Sequence, residues 1–363
     1  MECPHIPEIR YKDLSWRLHA KSEQQRLPVA ASMEITARCN LRCSHCYINL
    51  PAGDQRAQKR ELSFSQWARI IDEIADSGCL WLLITGGEPL LRPDFPDIYL
   101  HAKKQGMIIT LFFNGTLVTP ALADLLQEWP PFQVEITAYG RTKATYESVT
   151  RIPGSYEKCL RGIDLLLERQ IPLGLKTTLT TQNFQEVWEM KAWAQGLGLL
   201  FRFDAEINPR LDGGQEPLAL RLTPEQVVEF DVRDEQRFQE WQRLIKEYDI
   251  PIEQSSGQLY NCYGGISSFH VDSFGHLHLC QMTHCPGFDL TRQSFAEGWE
   301  KFLPAIRARQ TREDFPCRQC TLKVLCSQCP AWAQLENGDP ETPVAFLCRL
   351  AHLRAQMLNI SPQ

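Results

Sequence analysis

Short β-rich runs alternate with amphipathic helices from residue 29 to about residue 206, and this alternation limits the folds available to the chain. A repeated strand–helix–strand order predicts an α/β fold with parallel strands, because each helix returns the chain to the same end of the sheet. Six such units predict a partial (β/α)6 TIM-like barrel, two units short of the full eight. The predicted strands cover residues 32–37, 80–85, 107–113, 132–137, 173–179 and 199–205.

The composition changes after residue 206. Residues 207–222 are rich in Pro, Gly and Asp and are typical of a loop, and the capping sequence from Thr223 to Gln226 then predicts helices. Beyond residue 257 the chain is dense in cysteine but short of apolar runs, so we expect metals to stabilise this region more than a core. We therefore divide the chain into an N-terminal segment (1–28), the barrel (29–215), linker helices (216–256), a small cysteine-rich domain (257–350) and a C-terminal tail (351–363).

Charge and hydropathy exclude several classes of protein. The net charge of −6 argues against a nucleic-acid-binding protein, which needs a surplus of Lys and Arg. No apolar run approaches the roughly eighteen residues of a membrane span, and the first residues, MECPHIPEIRYKDLSW, lack the apolar core of a secretory signal. The sequence predicts a cytoplasmic protein with no membrane segment and no nucleic-acid partner.

The fourteen cysteines are unusual for a reducing compartment, where disulfides do not persist. Cytosolic cysteines at short spacings are typical of metal or cluster ligands. Cys39, Cys43 and Cys46 follow the first predicted strand at x3 and x2 spacing. Three thiolates leave one iron of a 4Fe–4S cube open. A closed zinc site would need a fourth ligand, for which the adjacent His45 has poor geometry.

Polar and small residues follow the later strands at the edge where barrel active sites form. The stretch Gly86-Gly87-Glu88-Pro89 ends the second strand, and its glycines allow a ligand to approach the backbone closely. Four further strand ends or strands carry residues that are as compatible with a structural polar group as with a ligand contact: Asn114, Thr137, Lys176 and Arg202.

The cysteine triplet, the Gly-Gly-Glu-Pro stretch and the six strand–helix units together resemble the radical S-adenosylmethionine (SAM) superfamily over roughly residues 29–206. The resemblance implies that the triplet holds a [4Fe-4S] cluster whose fourth iron is chelated by SAM. It implies that His45 lies against the adenine, and that Gly86, Gly87 and Glu88 receive the methionine amino group. It also implies reductive cleavage of SAM to a 5′-deoxyadenosyl radical that abstracts a substrate hydrogen.

A second set of cysteines begins at Cys262 and Cys280, continues as a Cys-x2-Cys-x5-Cys-x2-Cys run and ends at Cys348. The run alone could be a zinc knuckle, but a knuckle does not explain the flanking cysteines. The whole pattern resembles the SPASM extension of radical SAM peptide- and protein-modifying enzymes, although three residues more often separate the last two cysteines of the run. The resemblance implies two auxiliary [4Fe-4S] clusters, an outer one on Cys317, Cys320, Cys326 and Cys348 and an inner one on Cys262, Cys280 and Cys329. Either Cys285 is the fourth inner ligand or one iron of that cluster is open to substrate.

The resemblance implies a maturase similar to the peptide cyclases of pyrroloquinoline quinone biosynthesis. Such an enzyme modifies a side chain or backbone carbon of a ribosomally made peptide or protein, by a crosslink, thioether, epimerisation or oxidation, and takes electrons from a flavodoxin- or ferredoxin-type donor. Gln281 stands where anaerobic sulfatase maturases carry an acidic base, which disfavours formylglycine formation; no catalytic residue is identified. Only 28 residues precede the first strand, too few for a leader-binding domain, so we expect a separate leader-binding protein.

Two other functions stay open. One is a radical SAM enzyme that acts on a small molecule, against which the cysteine-rich half weighs. The other is a non-catalytic iron–sulfur or zinc protein that serves electron transfer or as a scaffold. An open iron beside a barrel pocket argues against that second function, because a carrier needs neither.

Overall fold

The computed structural model describes residues 11–48, 50–247, 257–283 and 286–360. Within them nine strands form one sheet: β1 (Ala30–Glu34), β2 (Trp81–Thr85), β3 (Ile108–Phe113), β4 (Gln133–Thr137), β5 (Leu173–Thr178), β6 (Leu200–Asp204), β7 (Ser268–Val271), β8 (His276–His278) and β9 (Phe288–Asp289). The spatial order is β9-β8-β7-β1-β2-β3-β4-β5-β6. Neighbours from β7 to β6 run parallel, whereas the β7–β8 and β8–β9 pairs are antiparallel.

Amphipathic helices connect the parallel strands. Helix α3 shows why they form: Ser63 and Gln66 make a capping box, and Trp67, Ile70 and Ile74 then recur at helical spacing and are buried. The α-helices are α1 (Tyr11–Gln25), α2 (Gln55–Arg60), α3 (Phe64–Asp76), α4 (Phe95–Lys104), α5 (Pro120–Glu128), α6 (Lys143–Thr150), α7 (Ser155–Glu168), α8 (Val187–Gly196), α9 (Pro224–Arg233), α10 (Glu235–Glu247), α11 (Phe295–Glu297), α12 (Leu303–Arg307), α13 (Pro330–Asn337) and α14 (Ala345–Met357). No helix among these residues is both long and apolar enough to cross a membrane.

The predicted α/β fold with six parallel strand–helix units is confirmed. The first strand, however, ends at Glu34 rather than at residue 37, because Thr36 turns its carbonyl towards the Gly87 N–H, at 2.7 Å. The sequence did not predict strands β7, β8 and β9. They contain four, three and two residues, too few to show an alternating pattern.

The two faces of the sheet differ in polarity, because successive side chains of a strand point to opposite sides. One face packs against the helices and is apolar; its buried members include Met33, Ile84, Leu111, Ile136 and Leu175. We call the opposite side the open face. Its members are mostly polar and include Ser32, Glu34, Glu135, Thr137, Lys176 and Arg202.

The cysteine-rich region shares its core with the barrel. Phe269, Val271 and Trp299 belong to the same buried cluster as Met33, so β7 and the helices after β9 extend the barrel's core. Helix α14 continues through the expected boundary at residue 350. The domain boundaries given from the sequence therefore stay a prediction, and the regions that they separate pack against one another.

A buried ion pair joins the expected linker to the C-terminal helix. Arg354 Nε on α14 donates to Asp231 Oδ2 on α9 at 3.1 Å, and both side chains are buried. Arg354 also contacts Glu206 at 3.2 Å, just beyond β6. The linker helices are thus packed between the barrel and the C-terminal helix.

Candidate functional site

The triplet of cysteines lies in a loop that the sheet and helix α6 hold from both sides. The Arg42 N–H donates to the Thr150 carbonyl at 2.9 Å, and the Ser44 N–H donates to the Val149 carbonyl at 3.2 Å. On the other side, the Glu88 N–H donates to the Arg38 carbonyl at 2.8 Å. The loop therefore has backbone partners on two separate elements.

The three thiols of this loop are close enough to influence one another. Burial, followed by the charges of Glu88 and Cys46, raises the pKa of Cys39 to about 12. Burial and then the neighbouring Cys46 and Cys39 raise the pKa of Cys43 well above its usual value. Such thiols keep their protons at neutral pH unless a metal displaces them, because the metal ligand is the thiolate. Three thiols gathered in one loop, one of them buried and two partly buried, fit the donor set of an iron–sulfur cluster.

The two glycines after β2 are required by the backbone of the cysteine loop. A Cβ on Gly86 would lie 2.4 Å from the Thr36 carbonyl oxygen, and one on Gly87 would lie 2.3 Å from the Arg38 carbonyl oxygen. Gly86 also has a φ of +155°. The sequence predicted close approach of a ligand at these positions, whereas the space beside both glycines is filled by the chain itself.

Glu88 is fully buried and faces the end of β3. Its carboxylate accepts hydrogen bonds from the Asn114 N–H at 2.7 Å and the Leu90 N–H at 3.2 Å. Burial raises its pKa to about 7, although these two hydrogen bonds lower it. The Asn114 amide donates to Asn40 Oδ1 at 2.8 Å and lies 3.8 Å from Cys39 Sγ. The structure therefore brings Glu88 and Asn114 together beside the cysteine loop.

The other strand residues named from the sequence form one row across the sheet. Thr137 pairs with Lys176, and Lys176 pairs with Arg202. The Glu135 carboxylate lies 3.5 Å from Lys176 Nζ and also forms an ion pair with the Arg202 guanidinium. Burial lowers the pKa of Lys176 to about 7, against the opposing effect of Glu135. Arg202 is 61% exposed, so the row runs from a buried to an open position.

His45 is buried against an aromatic ring. Its imidazole centroid lies 5.2 Å from that of Tyr139, and burial lowers its pKa to about 4, so the ring is neutral. Within the described part of the chain, its buried Nδ1 has no hydrogen-bond partner. A flat neutral ring with an unused polar atom fits a bound nucleobase.

The C-terminal cysteines gather into two groups. Cys280 and Cys262 both raise the pKa of Cys329, after burial. After burial, Cys320 and Cys348 raise the pKa of Cys317, and Cys317, Cys320 and Cys348 raise the pKa of Cys326, so these four thiols form the second group. A cavity of about 460 Å³ lies between the groups and is lined by Cys262, Cys329 and Cys317, among others. That these groups hold an inner and an outer cluster stays a prediction, and Cys285 lies outside the described residues.

Sequence reasoning missed a buried carboxyl that joins the two halves of the chain. Glu34, 2% exposed at the end of β1, accepts from the Tyr47 hydroxyl at 3.2 Å and from the Gln281 amide at 3.0 Å. Tyr47 follows Cys46 and Gln281 follows Cys280. Burial and the charge of Asp272 raise the pKa of Glu34 to about 8. The sequence signal that could have indicated this site was an acidic residue on a strand whose other face is apolar.

Replacing Glu34 with Gln is expected to change how stability depends on pH. Because the pKa of Glu34 is about 8 in the folded chain against an ordinary value of 4.5, folding favours the protonated form. The protonated Glu34 carboxyl contributes on the order of a few kcal/mol to the free energy of unfolding. This contribution is complete below about pH 4.5 and is lost as the pH rises through 8. Melting temperatures from pH 4.5 to 9 should therefore fall less in Glu34→Gln than in the wild type. Parallel curves would contradict the raised pKa, and the exposed Glu157→Gln is the control.

Comparison with known proteins agrees with this arrangement. Residues 33–194 match the family described as the Radical SAM superfamily. An AdoMet-dependent heme synthase of Methanosarcina barkeri is 26% identical over 334 residues, which are 86% of this chain and 94% of that protein. The sporulation killing factor maturation protein SkfB of Bacillus subtilis is 24% identical over 319 residues, 87% of this chain and 72% of that protein.

A solved structure shows the same fold over almost the whole chain. Streptococcus suis SuiB bound to its precursor peptide SuiA superposes with a TM-score of 0.68, at 15% identity, over 96% of this chain and 84% of that one. The family match covers residues 33–194, most of the barrel, and the fold match continues through the cysteine-rich region. SAM and a [4Fe-4S] cluster are the cofactors that a radical SAM domain implies. The chain is therefore an enzyme with a radical SAM domain over residues 33–194, and it shares the fold of SuiB along almost its whole length.

Proposed function

We propose that this enzyme modifies a side chain or backbone carbon of a ribosomally made peptide or protein. The similarity to a peptide maturation protein over 87% of the chain carries the proposal. The reaction classes expected are a crosslink, a thioether, an epimerisation or another oxidation.

We assign the SAM-bound cluster to Cys39, Cys43 and Cys46, since these thiols lie close together in one loop. When bound, the cluster supplies the electron that cleaves SAM to the 5′-deoxyadenosyl radical. His45 would contact the adenine through its neutral ring. Gly86, Gly87 and Glu88 would receive the methionine amino group. Further SAM contacts are assigned to Asn114, Thr137, Lys176 and Arg202.

We also propose two auxiliary [4Fe-4S] clusters in the cysteine-rich region. After burial, the neighbouring Cys317, Cys320 and Cys348 raise the pKa of Cys326, and this proximity supports an outer site held by the four cysteines. Cys262, Cys280 and Cys329 would hold the inner cluster, with Cys285 as the proposed fourth ligand. Electrons would come from a flavodoxin- or ferredoxin-type protein, and a separate protein would bind the leader peptide. Thiols of this kind fit a reducing compartment, the cytoplasm.

Anaerobic reconstitution followed by reaction with a peptide tests the function. We expect about twelve irons per chain, from three four-iron clusters, and a mass change in a peptide encoded next to the enzyme's gene. The measurements are iron and sulfide analysis and mass spectrometry of the peptide with SAM and reductant. A control without SAM should leave the peptide unchanged. Stoichiometric zinc with negligible sulfide would refute the assignment of clusters.

A small molecule is the second candidate substrate. The heme synthase of M. barkeri aligns over 94% of its own length, so a tetrapyrrole precursor of haem is a specific alternative. The same reconstituted enzyme can be offered each substrate in turn. SAM-dependent conversion of the tetrapyrrole, with the peptide unchanged, would favour this alternative over peptide modification.

A further inference from the structure

The hairpin of β7 and β8 gathers two histidines and an aspartate in front of the Cys280 loop. Asp272 follows β7, and His276 and His278 are the first and last residues of β8. Asp272 Oδ2 lies 3.1 Å from His276 Nδ1 and 3.2 Å from His278 Nε2. One ligand atom from each residue falls within 4.8 Å of the other two. Asp272 and His278 are buried, while His276 is partly exposed.

The hairpin holds these groups in fixed positions. Asp272 Oδ1 accepts hydrogen bonds from the Phe274 and His276 N–H groups, both at 2.9 Å. Its Oδ2 is therefore directed towards the two imidazoles. Gly275 has a φ of +83°, a conformation that other residues rarely adopt, and it closes the turn. Histidines two residues apart on one strand point to the same face. The turn and the strand together therefore bring the side chains of Asp272, His276 and His278 to one place.

The distances match a metal site. Zinc binds imidazole nitrogen at about 2.0–2.1 Å and carboxylate oxygen at about 2.0–2.2 Å, so two ligands at the tetrahedral angle lie about 3.4 Å apart, close to the 3.1 and 3.2 Å between Asp272 and its two histidines. Two imidazoles and one carboxylate form the set used by zinc and by non-haem iron(II). We propose that Asp272, His276 and His278 bind one divalent metal ion, in addition to the iron of the clusters. This inference does not depend on whether the substrate is a peptide.

The site would connect the hairpin to the active-site region. His278 is two residues before Cys280, and its ring centroid lies 6.2 Å from that of His270. His270 Nε2 lies 4.0 Å from Glu34 Oε1. A metal ion that joins β8 to the end of β7 would position the Cys280 loop relative to Glu34. Three protein ligands also leave a coordination position open to water or a substrate group.

Manganese(II) is the suitable probe, because it prefers oxygen to thiolate ligands, so the cysteines of the clusters do not compete for it. The reconstituted holoenzyme, freed of loosely bound metal, is titrated with Mn(II) and followed by electron paramagnetic resonance of the free ion. We expect one bound Mn(II) per chain, and an affinity at least tenfold lower in His276→Ala. Because His276 is partly exposed, His276→Ala is the variant of the three ligands that should disturb folding least. Asp272→Asn keeps the shape of the side chain and should also lose Mn(II) binding.

The matched control is His101→Ala. His101 also pairs with an aspartate, Asp72, at 2.7 Å, but among the described residues this pair is not part of a group of three possible metal ligands. His101→Ala should bind Mn(II) as the wild type does. Cluster iron and circular dichroism must be unchanged in every variant that is interpreted. Wild-type enzyme that binds no Mn(II), or His276→Ala that binds it normally, would overturn the proposal. Asp272 would then serve only to accept hydrogen bonds from the two imidazoles and from the backbone of the turn.

Discussion

Replacing Cys39, Cys43 and Cys46 together with alanine is expected to abolish reductive cleavage of SAM. Cys46 raises the pKa of both Cys39 and Cys43, so the three thiols lie close together and form the assigned donor set for the first cluster. Without them no iron remains at this site to bind SAM. About four of the twelve expected irons should be lost, while the C-terminal groups keep theirs. Chromatographic assay of 5′-deoxyadenosine and iron analysis measure the two effects.

The control for the triplet is a thiol outside the three groups. Cys79 is buried, and its Sγ lies 3.5 Å from the Trp81 carbonyl oxygen, which assigns it to the core. Cys79→Ala should therefore keep both the iron content and SAM cleavage. If the triple variant cleaved SAM at the wild-type rate, the radical chemistry would have been assigned to the wrong cysteines.

Gly87→Ala is expected to have the second-largest effect. The new Cβ would lie 2.3 Å from the carbonyl oxygen and 2.5 Å from the carbonyl carbon of Arg38. These are backbone atoms, and the Arg38 side chain is tied to Glu61 at 2.8 Å, so the cysteine loop must move. Overpacking of this kind costs about 1–3 kcal/mol or more. We expect a lower melting temperature and a loss of SAM cleavage.

The two readouts of Gly87→Ala separate stability from cofactor binding. Gly53→Ala is the matched control, because a Cβ at residue 53 would have nothing within 4 Å. It should leave the melting temperature and SAM cleavage close to wild type. A Gly87→Ala enzyme with unchanged melting and cleavage would show that the close contact with the cysteine loop is dispensable.

The cysteine groups were accessible to sequence reasoning because ligands of one cluster often lie within a few residues of each other. The spacing of Cys317, Cys320 and Cys326 already indicates one compact group, and the packing of helix α14 then brings Cys348 close to Cys326. The glycines after β2 show the limit of such reasoning. Their positions were predicted, but the atoms that exclude a side chain belong to Thr36 and Arg38, and no local pattern indicates that contact.

Strand lengths explain what was missed in the fold. Strands β1–β6 have five or six residues each and are separated by amphipathic helices, so their alternation is visible in the sequence. Strands β7–β9 are shorter and interrupted by turns. The place of β7 beside β1 depends on the pairing of residues such as Ala30 and Ser268, which lie far apart in the sequence.

The sequence by itself determined the parallel α/β architecture and the groups of cysteines, because hydrophobic period and ligand spacing are local properties of the chain. The tertiary structure alone decided that the cysteine-rich region extends the barrel's sheet and that Glu34 meets Gln281. These two residues are 247 positions apart. Their contact depends on the order in which strands pair, and pairing order is set by the burial of whole faces rather than by any short pattern.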